Sequence, residues 1–161
     1  MNIFYGAAFD PPTKAHIEII RRLAKNPGDN VCIGITDHDY KNFKFNYNQR
    51  SDMLDLALKC QGVSNANISI VRQNHRTWRF LAYQVTNIDA IAIGEDEWQS
   101  LMKGEWEFSR LLLEKYLLIV IPRKNGISST KVREWIMNGT PYNEQIAQYI
   151  DEPVYMIACH F

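Results

Sequence analysis

The stretch Asn2-Ile3-Phe4-Tyr5-Gly6-Ala7-Ala8-Phe9-Asp10-Pro11-Pro12-Thr13-Lys14-Ala15-His16 decides the fold. Asn2 to Tyr5 is a short apolar run ending in a glycine, the pattern of a buried strand entering a turn. Asp10-Pro11-Pro12 then imposes a rigid extended turn, because proline fixes its own φ and pushes the preceding residue out of the helical region. Thr13 caps a helix with Ile17, Ile20 and Leu23 on one face, ending near Pro27-Gly28. Strand, small-residue loop and helix, in that order, open an α/β sheet.

The alternation continues outward from this unit. Val31 to Ile35 reads as a second strand, followed by a polar, lysine-containing loop from Asp37 to about Phe45. Tyr47 to Cys60 reads as a helix with Met53, Leu54, Leu56, Ala57 and Leu58 on a broad apolar side. Asn67 to Val71 gives a third strand, Thr77 to Val85 a helix, and Ile88 to Ile93 a fourth strand ending in Gly94. Glu95 to Glu114 is mostly helical with a break around Gly104, and Tyr116 to Ile121 is a fifth strand stopped by Pro122. Ser128 to Met137 is a helix closed by Asn138-Gly139, and Asn143 to Ile150 a shorter one. The tail from Asp151 to Phe161 is open between a strand and a docking segment.

Strands alternating with helices at this spacing imply right-handed crossovers and a doubly wound, five-stranded parallel sheet of Rossmann-like type. Near-continuous apolar strands fit burial on both faces. Ligands in such sheets sit beyond the carboxyl ends of the strands, so the loops after Tyr5, Ile35, Ile93 and Ile121 are where chemistry is expected. The 161 residues fit a single domain over 1–161.

Composition excludes more than it identifies. Eighteen basic side chains balance eighteen acidic ones, which argues against a broad polyanion-binding surface and against a nucleic-acid-binding module. Cys32, Cys60 and Cys159 are far apart and outside any CxxC spacing, so neither a disulfide framework nor a zinc site is expected. No secretory signal and no membrane span is visible, which makes the cytoplasm the expected setting. Homo-oligomerisation is left open.

Two segments carry chemistry. In the first loop, the small residues Gly6, Ala7 and Ala8 let a ligand approach the backbone closely. Thr13 and His16 are three apart at a helix start and face the same side, beside unpaired N–H groups and the positive end of the helix dipole. Together they form a phosphate-binding corner, although Thr13 taken alone reads better as a cap and His16 taken alone as a surface residue. In the second segment, Ile127-Ser128-Ser129-Thr130-Lys131-Val132-Arg133, Ser128 is a natural N-cap whose hydroxyl and helix N–H groups suit anionic oxygens. Arg133 lies one turn further in.

The first segment resembles the (H/T)xGH signature of the nucleotidyltransferase superfamily, in its GxFDPxHxGH adenylyltransferase form. His16 matches the second histidine, Thr13 the position held by His or Thr, and Ala15 replaces the usual glycine. The second segment matches the family's ISSTxxR completely. Three further stretches resemble the nicotinate-nucleotide branch. Asn48 to Ala57 is similar to its RxxMLxLA helix, and Ile93-Gly94-Glu95-Asp96 stands where it carries G-x-D. Trp106, with the strand ending Ile121-Pro122-Arg123 beyond it, resembles its K-W and V-P-R segments. Only Lys124-Asn125-Gly126 separates Arg123 from Ile127, however, which in compactness is closer to pantetheine-phosphate adenylyltransferases.

The resemblance implies transfer of AMP from ATP to nicotinate or nicotinamide mononucleotide in NAD biosynthesis, with pyrophosphate released; the alternatives are a pantetheine-phosphate acceptor or a non-catalytic nucleotide-binding protein. It implies His16, Thr13, Lys41 and Arg133 as catalytic. ATP would be bound by Gly6, Ala7, Ala8, Phe9, His16, Gly94, Asp96, Ile127, Ser128, Ser129, Thr130 and Arg133. The acceptor side would be lined by Lys41, Lys44, Thr77, Trp78 and Trp106, with Mg2+ held by substrate phosphates rather than by the protein.

Overall fold

The computed structural model describes residues 1–83, 87–122 and 129–161. The chain divides into two compact units, Met1–Ala7 with Leu23–His38 and Asn67–Lys124, and Ala8–Arg22 with Asp39–Ala66 and Asn125–Phe161.

The first unit holds the sheet. Its strands are β1 (Asn2–Ala7), β2 (Asn30–Thr36), β3 (Ile68–Gln73), β4 (Ala90–Gly94) and β5 (Leu117–Ile121). They run in the order β3-β2-β1-β4-β5, and every pairing is parallel. The order reverses between β1 and β4, the switch point at which ligands of open α/β sheets bind. Ile3, Phe4 and Tyr5 of β1 and Ala90 through Ile93 of β4 are buried in succession, as in parallel strands with no solvent face.

Three helices accompany the sheet in this unit: α3 (Thr77–Tyr83), α4 (Glu95–Met102) and α5 (Ser109–Lys115). Phe80 and Leu81 of α3, Leu101 of α4 and Leu112 of α5 form one core with Phe4, Ile91, Ile93 and Tyr116. The Tyr116 hydroxyl donates to the Leu81 carbonyl at 3.1 Å, so its polar end is satisfied inside that core. The break expected near Gly104 is present: Gly104 takes φ 74° and Phe108 φ 61°, separating α4 from α5.

The second unit contains α1 (Lys14–Leu23, up to Arg22), α2 (Tyr47–Cys60), α6 (Ser129–Met137), α7 (Glu144–Ala147) and α8 (Glu152–His160). A reciprocal capping box starts α2: the Asn46 side chain accepts from Gln49 N–H, and the Gln49 side chain accepts from Asn46 N–H. Its buried positions, Arg50, Met53, Leu54, Ala57 and Leu58, follow helical spacing and pack against α8. Asn138-Gly139 ends α6 as expected, with Gly139 at φ 66°. Thr140 N–H bonds to Trp135 C=O at 2.9 Å and Gly139 N–H to Ile136 C=O at 3.1 Å.

The α/β class read from the alternation is the one found, a five-stranded all-parallel sheet with flanking helices. The tail is a helix: Asp151 takes the N-cap position, Pro153 sits in the first turn, and Val154, Tyr155 and Ala158 are buried. β3 runs on to Gln73 rather than ending at Val71, and β4 begins at Ala90 rather than Ile88. Val85, the expected end of α3, lies outside the described residues. No described helix is long and apolar enough to cross a membrane.

Candidate active site

In the second unit, the loop from Ala8 to Thr13 is held by buried polar groups. Phe9 adopts φ 52° and is fully buried, with its ring centroid 4.9 Å from that of His16. Asp10, only 3 % exposed, accepts through its carboxylate from Lys44 N–H at 2.9 Å and Phe45 N–H at 3.0 Å. Arg50, completely buried, donates through Nε to Phe45 C=O at 3.0 Å and through a terminal nitrogen to Ala8 C=O at 2.9 Å. Its guanidinium lies 4.1 Å from the Phe43 ring centroid. Asp10 and Arg50 thereby join the first loop to the segment carrying Lys41 and Lys44.

Arg133 of α6 completes the arrangement. It donates to Asp10 C=O at 2.7 Å and to Thr130 Oγ1 at 3.0 Å, and it lies 3.8 Å from the Asp10 carboxylate. Ser129 Oγ donates to Pro11 C=O at 2.9 Å, so this hydroxyl ties α6 to the first loop. Ile127 and Ser128 lie outside the described residues, as does Arg123.

His16 has a defined protonation state. Its Nδ1 accepts from Thr13 N–H at 3.0 Å, and the Thr13 hydroxyl lies 3.1 Å from the same nitrogen. Both Thr13 donors converge on Nδ1, which leaves the ring proton on Nε2. Burial lowers the imidazole pKa from the ordinary 6.5 to about 4. The ring is therefore a neutral, oriented N–H donor at physiological pH, at the positive end of α1. Protonation of the ring is not required for donation.

Lys41 and Lys44 are both exposed, the Lys44 ammonium lying 5.4 Å from the Phe45 ring centroid. Ala15 is exposed in the first turn of α1. The remaining candidates belong to the first unit. Gly6 and Ala7 end β1, Gly94 ends β4, and Asp96 follows two residues later in the first turn of α4, so all lie at or just past the carboxyl ends of adjacent strands. Trp78 and Trp106 form a tilted pair with centroids 5.9 Å apart, both packed on the core, and Trp78 Nε1 donates to Glu107 at 3.2 Å. Thr77, half-buried at the start of α3, accepts a hydrogen bond from Gln73.

The sequence reading missed the roles of Asp10, Arg50 and Gln73. A signal existed for Arg50, which falls on the apolar face of α2 with Met53, Leu54 and Ala57. Asp10 gave none beyond its place in a turn, because its partners are peptide N–H groups 34 and 35 residues away.

No ligand set for a metal accompanies these groups: among the described residues, no three His, Cys, Asp or Glu side chains gather to hold one. The Asp10 carboxylate is already engaged by two backbone donors. The arrangement offers neutral and cationic donors, suited to anionic oxygens.

Residues 4–135 match the cytidylyltransferase-like family. The phosphopantetheine adenylyltransferase of Aliivibrio fischeri (strain MJ11) is 26% identical over 163 residues, covering 96% of this chain and 95% of that protein. Among solved structures, Plasmodium falciparum nicotinic acid mononucleotide adenylyltransferase complexed with NaAD superposes with a TM-score of 0.70 at 18% identity, covering 97% and 94% of the two chains. A bifunctional NMN adenylyltransferase/ADP ribose pyrophosphatase from Francisella tularensis, complexed with AMP and Mn ion, gives 0.64 at 18% identity over 99% of this chain and 52% of that one. With the sheet order and the two signature segments, these matches establish that the chain belongs to the cytidylyltransferase-like family and is a nucleotidyltransferase.

Proposed function

We propose that the chain transfers the adenylyl group of ATP to the phosphate of a pyridine mononucleotide, nicotinate or nicotinamide mononucleotide, with release of pyrophosphate. The observation that carries this reading is the neutral His16 ring, whose Nδ1 is held by Thr13 so that Nε2 carries the ring proton. An acceptor phosphate oxygen attacks the α-phosphorus in line. The bond from that phosphorus to its bridging oxygen breaks, and pyrophosphate leaves with the electron pair.

No protein nucleophile is needed, so the side chains act by position and charge. His16 donates to a phosphate oxygen on the bond being broken. Thr13 acts through His16, since both its donors face Nδ1. Arg133, anchored on Asp10 and Thr130, holds the polyphosphate, and Lys41 approaches it from its exposed loop. The Gly6 to Phe9 backbone, Gly94 and Asp96 serve the adenosine, and Ser128, Ser129 and Thr130 serve the β- and γ-phosphates. Thr77, Trp78, Trp106 and Lys44 serve the acceptor, the indole pair suiting a flat pyridine ring. A divalent ion enters on the triphosphate oxygens as part of the substrate.

A second reading keeps the chemistry and changes the acceptor to phosphopantetheine; the full-length similarity to the Aliivibrio enzyme favours it. Pyrophosphate release from ATP and Mg2+ with nicotinate mononucleotide, nicotinamide mononucleotide or phosphopantetheine separates the readings. Turnover with a pyridine mononucleotide supports the first, and turnover with phosphopantetheine alone replaces it. His16→Ala should lose at least about a hundredfold in kcat while staying folded, the usual scale for an oriented donor at developing charge. Near-normal turnover in that variant would remove His16 from the mechanism.

A further inference from the structure

Gln73, the last residue of β3, is 1 % exposed, yet its carboxamide is only half used. Nε2 donates to His75 C=O and to Thr77 Oγ1, both at 3.1 Å. Among the described residues, Oε1 is buried without a hydrogen-bond partner. The orientation of the amide is not in question, because the His75 carbonyl can only accept; a flipped amide would set two oxygens against each other. A buried oxygen without a partner is costly, so the amide orientation is maintained by what Nε2 holds.

Two glycines make room for this side chain. A Cβ at Gly6 would come within 2.6 Å of Gln73 Oε1, and one at Gly34 within 2.8 Å of it and 2.7 Å of Phe4 Cζ. Gly6 and Gly34 are register partners on β1 and β2. The Gln73 side chain therefore reaches from β3 across β2 to β1, the strand at the switch point. It draws the turn carrying His75 and Thr77 along with it.

The consequence lies in the Thr77 hydroxyl. An hydroxyl oxygen that accepts from an amide N–H has its own proton left to give. Were Thr77 free of Gln73, the hydroxyl would rotate and serve a donor or an acceptor equally.

We propose that Gln73 is a positioning residue for acceptor specificity, fixing Thr77 Oγ1 as a hydrogen-bond donor toward an anionic oxygen of the acceptor. The group read at the β3–α3 turn is then a carboxylate in preference to a carboxamide, since a charged acceptor makes the stronger bond. This rests on the adenylyl-transfer reading with a pyridine mononucleotide, and it selects nicotinate over nicotinamide mononucleotide.

The test is a double-mutant cycle in the full chain, with Gln73→Leu, Thr77→Val and the pair, plus Thr77→Ser. Initial rates of pyrophosphate release give KM and kcat for each pyridine mononucleotide and for ATP. The wild type is expected to prefer nicotinate mononucleotide. Gln73→Leu should raise its KM about tenfold while leaving the ATP KM and kcat within about twofold. Thr77→Val should do the same and erase the preference, and Thr77→Ser should restore it.

In the Thr77→Val background, Gln73→Leu should add nothing, because its effect runs through the hydroxyl. Independent, multiplying effects would overturn the proposal, as would equal losses in ATP and acceptor KM. If Gln73→Leu does not fold, retained nicotinate preference in Thr77→Val overturns it alone. A wild type that uses only phosphopantetheine removes the pyridine reading and this proposal with it, whereas a wild type that prefers nicotinamide mononucleotide overturns this proposal alone. Silence with all three acceptors overturns both.

Discussion

The imidazole Nδ1 of His16 lies 3.0 Å from the backbone N–H of Thr13, so a peptide group sets the tautomer of the side chain that the mechanism needs as a donor. Because this group is main chain, no substitution at position 13 other than proline removes it. The Thr13 hydroxyl adds a second hold on the same nitrogen.

Thr13→Val keeps the N–H and deletes the hydroxyl. A loss of about three- to tenfold in kcat is expected, the scale of one neutral hydrogen bond, with the ATP KM little changed. Steady-state kinetics at saturating acceptor decide this. A loss as deep as that of His16→Ala would instead give the hydroxyl a direct part in phosphate contact.

Burial lowers the His16 pKa from 6.5 to about 4. Between those values the unfolded chain binds the proton and the folded chain does not, so this group's contribution is present above pH 6.5 and is lost as pH falls toward 4. The slope is at most about 1.4 kcal/mol per pH unit. Urea melts from pH 7 to 4.5 should show it, reduced in His16→Gln, and the His16 NMR titration should have its midpoint near pH 4. A midpoint near 6.5 would contradict the neutral ring.

Asp10→Asn retains one acceptor for two backbone donors and removes the negative charge 3.8 Å from Arg133. A stability loss of about 2 kcal/mol is expected, together with a rise in the ATP KM of tenfold or more as Arg133 and the Lys41–Lys44 segment loosen. Thermal melts and ATP-dependent rates report the two effects separately.

Arg50→Lys keeps the charge and loses the planar fork that spans the carbonyls of Ala8 and Phe45. A cost of about 3 kcal/mol is expected for a fully buried site, visible in denaturant midpoints. A variant as stable as the wild type would show that the lysine or a water replaces both bonds.

Ala15→Gly restores the residue usual in the signature. The expected result is a helix weakened by about 0.5–1 kcal/mol and an ATP KM that is unchanged, because Ala15 is exposed. A fall in that KM would mean that the methyl intrudes on the nucleotide.

Local pattern made much of this legible. The expected bounds of α2, Tyr47 to Cys60, are those found, since its apolar positions keep helical spacing. Asn138-Gly139 marked the end of α6 through the positive φ that glycine accepts. β3 was cut short because Arg72 and Gln73 look like loop residues, and Gln73 is buried only because Gly6 and Gly34 leave it space. α8 was overlooked although Asp151 and Pro153 carry an ordinary start signal. Thr13 and His16 could be paired from their spacing, but the direction of their bond could not.

Asp10 grips the Lys44 and Phe45 segment by peptide N–H groups alone, while the Lys44 side chain stays exposed. Position 44 is therefore free to drift in charge without releasing its loop. A change there retunes which anions the loop favours and leaves its path intact, so selection can alter substrate preference at 44 without having to rebuild the scaffold that Asp10 maintains.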